Sequence, residues 1–347
     1  MNLSNNQKIK IYCLIVFAKI IYFVEILGSL PALLLKSSAR GLIYSVVFIS
    51  ILSGIAINLN WSKYFDTSKI FGFYASSRPL VLGASTSKTF EVLPHLVKSE
   101  DFPEVSSKSI LAIEYNTGKI LYENNKDEKL PPASTTKLMT ALVALDLYKT
   151  SEIVTVPSFC TNLDTQKAGY LSGETDNVDN LLKTLLIYSS GDAACALGVG
   201  KVTYTDFVDL MNKKALSLGM NNTHFTNPVG LDAENGDNYS SADDLTKLAK
   251  EVLKHILLKE NVGTREITLK SPTTRNSRQI RSTNDLLWNL PGTVGIKTGR
   301  TYAAGEVLIY EYRAEGKDII IVVMGSLDRF TDTKKVLEWI LLSYSWL

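Results

Sequence analysis

Ser134 and Lys137 stand three residues apart in the run Pro131-Pro132-Ala133-Ser134-Thr135-Thr136-Lys137-Leu138. Two prolines suit a helix start, so the spacing predicts Ser134 in a first helical turn with Lys137 on the same face. A serine there has the positive end of the helix dipole beside its oxygen. A deprotonated lysine within reach can take the hydroxyl proton and turn the oxygen into a nucleophile. Free lysine titrates near ~10.4, so base strength at neutral pH needs a depression of about 3, or roughly 4 kcal/mol. Burial and a second nearby cation are the two ways to obtain it. Taken alone, S-x-x-K is more often an N-capped surface helix than a catalytic pair.

A second cation is offered by Lys297-Thr298-Gly299, which follows Gly292-Thr293-Val294-Gly295-Ile296 and precedes Arg300. An apolar residue before and a glycine after suggest a strand end that a ligand backbone approaches closely. There a cation and a hydroxyl could hold a carboxylate. The bland alternative is an edge strand with a lysine. Between the two motifs, Leu185 to Ala194 reads as a helix, a polar turn at Ser189-Ser190-Gly191, and another helix.

Positioning these groups requires a core, and the chain is long and apolar enough to build one: 347 residues, 45% hydrophobic and 21% charged. Ile110–Tyr115 and Ile120–Glu123 flank Asn116-Thr117-Gly118-Lys119, a hairpin signal. Helical patterns follow at Ser134–Tyr148, Val178–Tyr188, Asp192–Val199, Tyr204–Leu218 and Ala242–Leu257. Strand signals return at Val307–Arg313 and Asp318–Met324, and an amphipathic helix closes the chain at Thr333–Ser345. Strands at both ends with helices between imply one antiparallel sheet assembled from distant segments, an α+β design.

The net charge of +2 gives no concentrated basic face for nucleic acid. Five basic residues and one acidic residue in the first 60 account for most of the asymmetry. Residues Gly41–Ser62 form an uncharged run of 22, which at about 1.5 Å per residue spans a bilayer core and predicts a transmembrane helix. Ile11–Leu35 is also apolar but is interrupted by Lys19, Glu25 and Pro31. The short Lys36–Arg40 loop belongs on the cytoplasmic side, so the chain after the span emerges outside. Residues 63–105 have no sustained period and read as a linker. Cys13, Cys160 and Cys195 make no disulfide framework. Cys160 and Cys195 could pair in an oxidising compartment, but two buried thiols are the commoner outcome. His95, His224 and His255 form no cluster at metal spacing, so neither a metal nor another cofactor is expected.

S-x-x-K, a Ser-containing turn and K-T-G, in that order, resemble the penicillin-binding proteins and serine β-lactamases. Leu130–Leu142, Asn222–Leu231, Tyr239–Asp243, Gly295–Thr301 and Asp332–Trp339 narrow the resemblance to the D-alanyl-D-alanine carboxypeptidases, over about residues 106–347. The resemblance implies the transpeptidase fold, an antiparallel sheet flanked by helices with a helical lobe. It implies Ser134 as nucleophile, Lys137 as base and Ser189 as proton relay. Lys297, Thr298 and Gly299, with Arg329, would receive the substrate carboxylate, and Lys297 would help depress Lys137. The backbone N–H groups of Ser134 and Arg300 would hold the oxyanion. The implied partners are a peptidoglycan stem peptide ending in D-Ala-D-Ala and β-lactams as covalent inhibitors. His224 falls in a matching segment, but a structural role is expected for it.

One position departs from the family. Aligned without gaps, Gly191 stands where the third residue of the turn is asparagine, whose amide can bridge the lysine base and the substrate backbone. Reduced turnover is expected, with Ser190 or a water supplying part of the interaction, and Gly191→Asn is expected to raise the acylation rate. A β-lactamase is disfavoured because its E-x-x-L-N signature is missing, and Glu266–Lys270, the nearest match, reads as a strand. A wall-peptide-binding module crippled by Gly191 is the remaining alternative.

Overall fold

The computed structural model describes residues 93–98, 101–274 and 276–346. Strict alternation of side chains organises its centre. Strands β1 (Ser109–Glu114) and β2 (Ile120–Asn124) form the predicted hairpin. Two short pairs follow, β3 (Ile153–Thr155) with β4 (Thr175–Asn177) and β5 (Glu266–Lys270) with β6 (Ser277–Arg281). Strands β7 (Thr293–Thr301), β8 (Gly305–Ala314) and β9 (Lys317–Ser326) complete a five-stranded antiparallel sheet of order β2-β1-β9-β8-β7. N- and C-terminal segments thus share one sheet, as the α+β reading expects.

Both faces of that sheet are covered. Ile110, Ile319, Ile321 and Val323 point to one face, where helix α7 (Arg329–Ser343) adds Val336, Leu337 and Ile340. Leu111, Ile320, Val322 and Met324 point to the other, against a helical lobe. The period of two, with each face buried, explains why β9 reads as a continuous apolar run. The lobe comprises α1 (Lys137–Leu147), α2 (Val178–Ile187), α3 (Gly191–Val199), α4 (Tyr204–Ser217), α5 (Ala242–Lys254) and α6 (Ile256–Gly263).

Three boundaries differ from the sequence expectation. The helix predicted over 242–257 breaks at His255, whose extended backbone (ψ 112°) turns α6 so that it meets α2 and β7. The final helix starts at Arg329 rather than Thr333, because Asp328 caps it by accepting from the N–H groups of Phe330 and Thr331. Ser134 lies in a 3₁₀ turn, Ala133–Thr136, that runs into α1, and not in the α-helix itself.

Residues at the end of the predicted linker lie on this domain. His95–Leu96 pairs with Tyr344–Ser345, and the Phe102 ring stacks on Tyr122 at 3.5 Å. Buried Asp332 accepts from Ser106, Ser107 and Ser326, clamping that segment to the first turn of α7. The predicted span at 41–62, the apolar stretch 11–35, Cys13 and residues 63–92 lie outside the described residues. Among those described, no helix is long and apolar enough to cross a membrane.

Cys160 and Cys195 form a disulfide, which corrects the expectation of two thiols. Between β3 and β4 the chain makes an excursion whose one-turn helix, Ser158–Thr161, packs on α3 and brings the two Cα atoms to 5.4 Å. A sequence separation of 35 concealed this proximity. Closing a loop of that length removes chain entropy from the unfolded state worth about 3–4 kcal/mol. Replacing both cysteines by alanine is expected to lower the unfolding free energy of this domain by about 2–4 kcal/mol in urea titrations, and reductant should then have no further effect.

Candidate active site

Segments distant in sequence converge on a cleft of about 700 Å³ lined by Ser134, Ser189, Thr298, Gly299, Arg300 and Arg329 among others. That volume suits a peptide-sized ligand. Lys137 Nζ lies 2.8 Å from Ser134 Oγ and donates to the Val229 carbonyl at 2.7 Å. The lysine is fully buried. Burial lowers its pKa to about 7, against the opposing pull of the Asp192 carboxylate. An amine held by a carbonyl within hydrogen-bond reach of a hydroxyl can, once unprotonated, take that hydroxyl's proton as a general base.

Lys297 is buried as well and donates to Ser189 Oγ at 2.8 Å and to the Thr298 carbonyl at 2.9 Å. Burial holds its pKa well below the ordinary lysine range, and the positive charges of Lys137 and Arg329 push it further. Burial is the largest cause for both lysines. The repulsion between the two ammonium groups is mutual, so the two lysines cannot readily be charged together. Lys297 and Thr298 sit within β7, short of its end, and β7 is one of the two edge strands of the sheet. Thr298 Oγ1 is 2.5 Å from Thr283 Oγ1, and both threonines line the cleft.

Close approach of backbones makes this geometry possible. A Cβ on Gly299 would come within 2.9 Å of the Ser134 nitrogen and the Ala133 Cβ, so only glycine lets β7 run beside the serine turn. Gly230, at φ +84°, passes so near the Ala133 carbonyl that a Cβ would sit 2.0 Å from its oxygen. Ala133 (φ +49°) and Ser189 (φ +66°) both adopt left-handed backbone without being glycine. Such conformations persist where surrounding structure over-determines them, and here they flank the chemistry.

Arg329, in the first turn of α7, donates to the Gly299 carbonyl at 3.1 Å, lies 3.8 Å from Glu306 and leaves its buried Nε unpaired. Arg300 lines the cleft, and its exposed side chain lies 3.8 Å from Glu306. His224 pairs through its backbone with Tyr239 and through Nδ1 with the Asp237 carbonyl, outside the cleft lining. Glu266–Lys270 forms β5, as read from sequence.

Sequence reasoning missed Thr283, the Val229 carbonyl and the segment Asp164-Thr165-Gln166, all of which border the cleft. The match over Asn222–Leu231 carried a signal for Val229; nothing local marks residues 164–166. The same segment occupies the space beside Gly191, where the expected benefit of an asparagine needs room. A Cβ there would lie 2.1 Å from Thr165 Cγ2 and 3.2 Å from Thr165 Cβ, so the space is filled. Ser190 cannot stand in, because its hydroxyl donates to Asp192 and caps α3.

Known proteins share this arrangement of sequence and fold. The profile of the D-alanyl-D-alanine carboxypeptidase family matches residues 96–328. The chain is 34% identical over 247 residues to the D-alanyl-D-alanine carboxypeptidase DacF of Bacillus subtilis, covering 69% of this chain and 63% of that protein's length. It is 35% identical over 252 residues to a D-alanyl-D-alanine endopeptidase of Escherichia coli, covering 69% and 78%. Among solved structures, the Streptomyces K15 DD-transpeptidase superposes with a TM-score of 0.65 at 30% identity, over 69% of this chain and 98% of that one.

Two outcomes test this geometry. If Lys137 is the base, the rate of acylation by a penicillin should rise about tenfold per pH unit below 7 and level off above it, because only the unprotonated amine accepts the proton. A rate independent of pH between 5.5 and 8.5 would remove Lys137 from that role. Gly299→Ala should slow acylation by at least about 10²-fold in a folded protein, since the added methyl forces β7 away from Ser134.

Proposed function

The chain belongs to the D-alanyl-D-alanine carboxypeptidase family, and on that premise we propose that it is a serine peptidase removing the terminal D-alanine of peptidoglycan stem peptides. The observation that carries this reading is the buried amine of Lys137 at 2.8 Å from Ser134 Oγ, with its pKa lowered to about 7. In the first step Ser134 Oγ bonds to the carbonyl carbon between the two D-alanines and its proton passes to Lys137. The peptide C–N bond then breaks, and the departing amine takes a proton relayed by Ser189, which Lys297 holds in place. Water cleaves the ester and restores the serine. Lys297, Thr298 and Arg329 supply the charge and hydroxyl that a terminal carboxylate requires. The free edge of β7 lets an extended peptide join the sheet. The oxyanion is assigned to the Ser134 and Arg300 amides.

The protein is proposed to work outside the membrane, anchored by residues 41–62. The uncharged run, the Lys36–Arg40 loop and a disulfide suited to an oxidising compartment support this placement. β-Lactams, which carry a strained amide in the place of the scissile bond, are proposed as slowly released inhibitors.

Incubation with a pentapeptide ending in D-Ala-D-Ala should release D-alanine, and mass spectrometry after penicillin treatment should find the adduct on the peptide containing Ser134. Ser134→Ala should abolish both. An adduct elsewhere, or none at saturating drug, would overturn the assignment. A reporter fused after residue 107 should be active only on the extracytoplasmic side; activity confined to the cytoplasm would overturn the topology.

A further inference from the structure

The turn Ser189-Ser190-Gly191 lacks the side chain that the family places at its third position, yet the volume beside Gly191 is occupied. Thr165 fills it from another part of the chain, with Cγ2 2.1 Å and Oγ1 3.1 Å from where a Cβ of residue 191 would lie. The threonine is half-buried and lines the same cleft as Ser134 and Ser189. Its hydroxyl makes no hydrogen bond among the described residues. A hydroxyl both donates and accepts, which is the chemistry an asparagine amide brings to a substrate backbone.

The loop that carries Thr165 is bolted to the turn it complements. The Gly191 N–H donates to the Gln166 carbonyl at 2.7 Å. The Asp192 carboxylate accepts from the N–H groups of Ala168, Gly169 and Tyr170 at 3.1, 3.1 and 3.2 Å. The Cys160–Cys195 disulfide ties the loop's other end to α3. With both ends fixed, a β-branched side chain of few rotamers is held in one place at the cleft wall.

We infer that Thr165 is a substrate-positioning residue: from the loop, its hydroxyl supplies the polar group that glycine cannot offer at position 191. The inference rests on the acyl-enzyme reading above and extends it to a residue outside the three motifs. Loop and turn form one unit, so restoring asparagine at 191 alone harms the site: the new side chain must displace Thr165.

The test is pre-steady-state acylation of the full chain in detergent by benzylpenicillin, resolving the limiting acylation rate from non-covalent binding. Thr165→Val keeps the shape and removes the hydroxyl. It should lower the limiting rate about 10- to 100-fold with little change in binding or melting temperature. Thr165→Ser should stay within about threefold of wild type. Should the valine variant fail to fold, Thr165→Ala against Thr165→Ser makes the same comparison. Gly191→Asn alone should slow acylation by at least about tenfold, and adding Thr165→Gly should restore most of the rate, a coupling expected only of side chains sharing one space. Thr165→Val acylating as fast as wild type, or Gly191→Asn doing so, overturns the assignment while leaving the function intact. Wild type that takes up no acyl group overturns the proposed function, and this assignment with it.

Discussion

A lysine amine buried beneath a serine hydroxyl is the constraint on which the rest of the structure depends. Keeping Lys137 near pKa 7 amounts to roughly 5 kcal/mol of disfavoured charge, which an isolated helix in water could not sustain. The cost is offset by a core that covers both faces of the sheet and packs α1 into the lobe. The Val229 carbonyl satisfies one amine proton, and the Ser134 oxygen takes the position where chemistry is required. Lys297 then adds a second buried cation whose own charge is disfavoured until an anion arrives. A carboxylate entering between Lys297, Thr298 and Arg329 would relieve that disfavour, so binding and readiness are linked by electrostatics.

Close contact is the second constraint, and it is met by backbone rather than by side chains. Ala133 and Ser189 hold left-handed conformations that cost of order 1–3 kcal/mol each; the first adjoins Ser134 and the second is itself the proposed relay. Gly299 and Gly230 remove the side chains that would keep β7 and the Asn227–Leu231 turn at a distance from Ala133. The 3₁₀ turn at Ala133–Thr136 is the outcome: it fits between two glycine backbones and still delivers Lys137 to the start of α1.

The Ser189-Ser190-Gly191 turn illustrates how a missing side chain can be replaced in space. Judged by position in the chain, glycine at 191 leaves a gap. In three dimensions the gap is closed by Thr165, on a loop held by a disulfide and by one carboxylate that gathers three consecutive N–H groups. Asp192 thereby serves two neighbours at once, pinning the loop and setting part of the field felt by Lys137.

Much of this molecule was legible in its residues. Period-two and helical patterns located the hairpin, most of the helices and the late strands. S-x-x-K and K-T-G, each weak alone, pointed to Ser134, Lys137, Lys297 and Thr298 once their order and the matching segments around them resembled a known family. Only folding decided the remainder. Whether Cys160 meets Cys195, how deeply Lys137 is buried, and whether Thr165 fills the space beside Gly191 all depend on packing between distant segments. Spacing within a motif reports which groups can touch along a helix or strand. It carries no information about which remote loop supplies the atom in the neighbouring volume, since that is set by how the lobe closes on the sheet.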